Sequence, residues 1–150
     1  MKYFILFILL LNILFASDSL IRKANTLLAE KHYKQAIQIY KKLAKKNNPA
    51  AINNLAMIYY NGLGVDYKQE KAVKMLRRLV DENVTNCQVY YNLAVMLYDG
   101  YVDSKTFQLY IDRGDAYKIL QKAKKIGCRK AKFYIKRIID LNKDTNATKK

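Results

Sequence analysis

Asn54-Leu55-Ala56-Met57-Ile58-Tyr59-Tyr60-Asn61-Gly62 returns 38 residues later as Asn92-Leu93-Ala94-Val95-Met96-Leu97-Tyr98-Asp99-Gly100. A second theme follows each copy. It reads Lys71-Ala72-Val73-Lys74-Met75-Leu76 after the first and Asp115-Ala116-Tyr117-Lys118-Ile119-Leu120 after the second, with an earlier relative at Gln35-Ala36-Ile37-Gln38-Ile39-Tyr40. The second theme recurs at intervals of 36 to 44 residues, the size of one helix pair. A unit that small cannot bury its own apolar face, so it must stack on its neighbours.

On both sides of the repeats, apolar spacing predicts helices throughout. Leu20, Ala24, Leu27 and Leu28 mark the first, and Ala36, Ile37, Tyr40, Leu43 and Ala44 the second. Asn48 and Pro49 read as N-cap and first helical position of a third, which carries Ile52, Leu55, Ala56 and Tyr59 and ends at Gly62 and Gly64. Ala72, Val73, Leu76, Leu79 and Val80 give a fourth; Tyr90, Leu93, Ala94 and Leu97 a fifth. After a longer connection come Ala116, Ile119, Leu120 and Ala123, stopped by Gly127, and then Ala131, Ile135, Ile138 and Ile139. No segment alternates in a way that predicts a sheet. The apolar residues of the long connection, among them Tyr101, Val102, Phe107, Leu109, Tyr110 and Ile111, are expected to fold back and cover the edge of the stack.

The N-terminus reads differently. Met1 and Lys2 precede a 13-residue apolar run from Tyr3 to Phe15, then Ala16, Ser17, Asp18 and Ser19. That order is the n-, h- and c-region of a secretory signal peptide, over residues 1–16, and the run falls short of the roughly 20 residues that span a bilayer. Cleavage after Ala16 leaves residues 17–140 as one helical repeat domain and 141–150 as a polar, disordered tail, with no stable membrane insertion. An uncleaved tether is the alternative. The expected place is the periplasm.

Asn54-Leu55-Ala56 with Gly62-Leu63-Gly64-Val65 and Lys71-Ala72, and Tyr91-Asn92-Leu93-Ala94 with Tyr98 and Gly100, resemble the Sel-one-like repeat, a branch of the tetratricopeptide superfamily. The resemblance covers roughly 19–140. It departs from the family pattern where Ala56 and Ala94 replace the glycine that usually follows the leucine. It departs again in the third unit, where Gly100 to Ala116 spans 16 positions against 10 for Gly62 to Ala72. It implies an all-α chain, a right-handed solenoid of about three antiparallel helix pairs plus a C-terminal closing helix. It also implies a non-catalytic adaptor that binds an envelope protein or peptide. At about 100° per residue, Asn53, Met57, Tyr60 and Asn61 turn away from the apolar stripe of the third helix, as Gln88, Tyr91, Val95 and Tyr98 do on the fifth. In related solenoids that second face lines the concave surface. Here it is an uncharged candidate groove able to hydrogen-bond and stack on an extended peptide.

Catalysis and polyanion binding are the alternatives to an adaptor. Cysteine-rich relatives bind or hydrolyse β-lactams, but this chain has no Ser-x-x-Lys, and Lys105-Thr106 is followed by Phe107 instead of glycine. His32, the one histidine, falls in a turn, no His pairing suits zinc, and Asp99, Asp103, Asp112 and Asp115 lack calcium-loop spacing. No catalytic residue, metal or cofactor is assigned. The formal charge of +16, or +15 after cleavage, raises nucleic acid or an acidic envelope polymer as partner. Nucleic acid is disfavoured, because lysine-rich second, sixth and seventh helices read more simply as a solvated outer face.

Two cysteines in an exported chain suggest one disulfide, Cys87 to Cys128. Both stand at the turn entering the first helix of a unit, and a bridge requires those turns to lean together; otherwise two thiols remain. Asp81-Glu82-Asn83-Val84-Thr85 and Asp144-Thr145-Asn146-Ala147-Thr148 each hold Asn-x-Thr with an acid two positions before the asparagine. That pattern resembles the acceptor of the bacterial periplasmic oligosaccharyltransferase, which makes Asn83 and Asn146 candidate glycosylation sites.

Overall fold

A computed structural model describes residues 2–129 and 131–136. Its helices are α1 (Lys2–Ala29), α2 (Tyr33–Ala44), α3 (Pro49–Asn61), α4 (Gln69–Asp81), α5 (Cys87–Asp99) and α6 (Arg113–Lys125). Helical backbone continues through 131–136. Residues 138, 139 and the tail with Asn146 lie outside the described residues. Helices α1 with α2, α3 with α4, and α5 with α6 pack as successive pairs, and α3 also touches α5. The fold is an all-α solenoid.

Local chemistry sets the boundaries. Asn48 caps α3, its side chain accepting from the Ala51 N–H at 3.0 Å with Pro49 in the first turn, and Asn86 caps α5 in the same way. Such a cap contributes about 1 kcal/mol. Gly62 ends α3 at φ +62°, and Gly64 follows at φ +68°. A Cβ on Gly64 would lie 2.4 Å from the Cβ of Tyr33, so the α3–α4 loop needs glycine both for its left-handed backbone and for its close approach to α2.

One core runs the length of the stack, with Tyr40, Ile58, Leu76, Leu79, Leu93, Met96, Leu97 and Leu120 among its fully buried side chains. Each contributes roughly 1.5–3 kcal/mol relative to exposure. Helices α3 and α5, nearly free of charge, lie in the middle and are buried on more than one side; α2, α4 and α6 put their lysines outward. That follows from composition, because a helix apolar all round is stable only with neighbours on several faces.

Two features depart from expectation. Residues 101–110 form a short antiparallel hairpin, β1 (Tyr101–Val102) with β2 (Leu109–Tyr110), pairing Tyr101 with Tyr110 and Val102 with Leu109. The hairpin is an insertion into a kept closure. After α3 the Lys68 N–H donates to the Tyr59 carbonyl at 2.8 Å, and after α5 the Asp112 N–H donates to the Leu97 carbonyl at 2.9 Å. Tyr59 and Leu97 hold the same place in the repeat, so the six extra residues of the third unit bulge out between equivalent bonds. Of the apolar residues of this connection, Tyr101 packs against the core as expected, but Val102, Phe107, Leu109, Tyr110 and Ile111 do not cover the stack. Phe107 is 82% and Leu109 62% exposed, because α4 is reached by polar atoms, the Val102 N–H donating to Gln69 Oε1 and Ser104 to Glu70 Oε2.

Candidate functional site

The eight residues expected to line a groove are only partly brought together as a surface. Met57, Tyr60, Tyr91, Val95 and Tyr98 are half-buried along α3 and α5, and Asn61 and Gln88 are exposed. Asn53 is buried, which corrects its outward assignment: it lies between α3 and α5, where a middle helix has a neighbour on the side that a helical wheel leaves open.

A chain of side-chain amides joins three helices across this face. Gln88 Nε2 donates to Asn92 Oδ1 at 2.7 Å, and Asn92 Nδ2 donates to Asn53 Oδ1 at 2.9 Å. Asn53 Nδ2 then donates to Asn54 Oδ1 at 3.2 Å, and Asn54 Nδ2 to Asn25 Oδ1 on α1 at 3.0 Å, where the Tyr40 hydroxyl also donates at 2.6 Å. Burial holds the Tyr40 phenol above its ordinary value, with the Asn54 amide opposing, so it stays a neutral donor. Each amide has two N–H donors and two acceptor lone pairs, and one link uses only part of that capacity. Asn25, Asn54 and Asn92 were not assigned to the face from the sequence. The signal for Asn54 and Asn92 was their equivalence in the repeat; Asn25 carried none.

The tyrosines serve the fold first. The Tyr60 hydroxyl donates to the Gly100 carbonyl at 2.6 Å, and its acidity is suppressed by burial and then by Asp99. Tyr91 and Tyr134 share a hydrogen bond of 2.7 Å with ring centroids 4.6 Å apart, so residues 131–136 close the face beside α5. The Arg113 guanidinium stands 5.3 Å from the Tyr98 ring centroid.

Cys87 and Cys128 form a disulfide, Cα to Cα 5.5 Å, tying the start of α5 to the turn after α6. Asn83 is exposed in the α4–α5 turn at φ +55°. Asp112 caps α6, accepting from the Asp115 N–H at 2.7 Å, while the Asp115 carboxylate, in the first turn, pairs with Arg77 at 2.7 Å. Among the described residues no three His, Cys, Asp or Glu side chains gather as metal ligands, and no helix is long and apolar enough to cross a membrane.

A cleft of about 850 Å³ separates the hairpin from the start of α4, with Tyr67, Val102 and Phe107 as apolar walls. Lys74 and the Ser104 hydroxyl and N–H all bond Glu70 there. These bonds hold the Glu70 carboxyl below its ordinary value, and Glu70 holds Lys74 above. Both groups are pushed toward their charged forms, the reverse of what a general base working near neutrality needs. The arrangement is a clasp for the hairpin.

No protein-family model matches the sequence, and no curated protein does. The crystal structure of a Sel1 repeat protein from Oxalobacter formigenes is similar over 79% of this chain, with a TM-score of 0.60 and 21% identity. The chain spans 47% of the length of that protein. The likeness is one of fold.

Proposed function

We propose that this chain, which has the Sel1-like repeat fold, is an exported, non-catalytic adaptor that holds an extended segment of an envelope protein along the shared face of α1, α3 and α5. The observation that carries this reading is the amide chain from Gln88 to Asn25. Its reachable members, Gln88, Asn54 and Asn25, present peptide-like donors and acceptors on three helices while buried Asn53 and Asn92 link them, beside Met57 and Val95, on a face where α3 has no charge and α5 only Asp99. Residual amide capacity suits a peptide backbone, and half-buried apolar groups suit its side chains.

Export and periplasmic residence belong to the same reading. Tyr3, Phe4 and Phe7 are exposed, and Ser17, the residue after the expected cut, bonds the stack, accepting from Asn48 Nδ2 at 3.0 Å. Cleavage after Ala16 would keep this bond. The disulfide fits an oxidising compartment, and exposed Asn83 fits glycan transfer.

Met57→Glu with Val95→Glu places two carboxylates on the face without touching the amide chain. Partner recovery from envelopes of the native host should be lost while helicity is kept; wild-type recovery overturns the reading. Intact mass of the same preparation should show a chain starting at Ser17 and carrying glycan that disappears with Asn83→Gln and Asn146→Gln.

A further inference from the structure

Outside the inner face, the groove between α2 and α4 is lined by basic side chains and no acidic one. Its volume is about 500 Å³. Lys41 in the last turn of α2 and Lys45 just past its end form one wall, and Lys71, Lys74 and Arg78 of α4 form the other. Helix α2 carries no acid at all. Glu70 and Glu82 engage Lys74 and Arg78 from their own helix, Arg78 at 3.5 Å, so the charge of the α2 wall is the less compensated. Arg78 also donates to Asn47 Oδ1 at 3.5 Å, drawing the end of α2 toward α4. Between the walls the floor is apolar, with half-buried Met75 and Ala44 reachable from the groove above buried Leu55 and Tyr59.

We propose that this groove docks an acidic segment of a partner protein in which carboxylates flank apolar side chains. Lysines alone would read as a solvated face. Two cationic rows facing each other over an apolar floor select a ligand with the opposite order, charge outside and hydrocarbon between. Nucleic acid fits less well, because single strands need aromatic platforms, whereas Tyr59 is only 5% exposed and the Lys71 ammonium lies 4.9 Å from its ring centroid. A second copy of this chain would bring another +16 against the first. The proposal stands independently of the inner-face reading.

The test is fluorescence anisotropy of the full chain with a fluorescein-labelled dodecapeptide of repeating Glu-Glu-Leu. Saturable binding is expected, weakened roughly tenfold or more by Lys41→Glu with Lys45→Glu, as loss of two ion pairs and the gain of two repulsions implies. Lys124→Glu with Lys125→Glu, at the end of α6, makes the same change in net charge and should leave the affinity within about twofold, since distant exposed charges are screened. Equal weakening by both pairs would show attraction by net charge alone and overturn the proposal. So would no binding, undiminished binding when serine replaces leucine in the peptide, or equally tight binding of a dodecamer of thymidylate.

Discussion

Asn54 and Asn92 occupy one position in successive repeats, and each donates across to the preceding inner helix, to Asn25 and to Asn53. The repeated asparagine is thus a stitch between units. Asn92→Ala should cost about 1–3 kcal/mol, because it strips the donor from buried Asn53 Oδ1, whereas exposed Asn61→Ala should stay within about 0.5 kcal/mol. Urea unfolding of the two variants checks this, and equal midpoints would contradict it. The equivalence of Asn54 and Asn92 was legible from the 38-residue repeat. The burial of Asn53 was not, because a helical wheel assumes one core face and a middle helix of a stack has several.

At the level of elements, the boundaries and cap of α3 were readable from Asn48, Pro49 and Gly62, whereas the cap that Asn86 gives α5 emerged only in the structure. The hairpin was not readable either, since strands of two residues are too short to show a period of two. Its attachment to α4 depends on charge. The folded pKa of Glu70 is lowered, so its contribution is present above the ordinary glutamate value and lost as pH falls through the lower folded value; Asp103, which accepts from the Thr106 and Lys105 N–H groups at the turn, behaves alike. Lys74, raised, contributes below its ordinary value and loses its charge only as pH rises through the folded one. An NMR titration of the Glu70 carboxyl should therefore show a midpoint below the ordinary value of about 4.3, with the Ser104 amide moving in step. An ordinary midpoint, or a Ser104 amide indifferent to it, would break the clasp. Exposed Phe107 and Leu109 remain at the tip for a partner or for aggregation.

Across the whole molecule, each unit leans on its neighbours, and the disulfide encloses the entire third unit of α5, hairpin and α6. A crosslink over a sequence separation of 41 residues should contribute about 4 kcal/mol in the chain-entropy model. Calorimetry of Cys87→Ser with Cys128→Ser should find that loss as a lower melting temperature, and an unchanged one would contradict it. The two cysteines were legible as a candidate pair, but the separation of 5.5 Å between their Cα atoms depends on how far the turns lean, which no local pattern encodes. The inner face was legible as uncharged, while the use of its tyrosines by Gly100 and Tyr134 needed the three-dimensional stack.

Whether that face holds a partner can be asked where the protein works. A photo-crosslinking benzoylphenylalanine placed at Met57, at Val95 and, for contrast, at exposed Lys118 on α6 can be irradiated in the native host. The same crosslinked product should form from Met57 and Val95 and be absent from Lys118. A product from Lys118 with none from Met57 or Val95 would mean that the inner face of this solenoid is not where the chain binds.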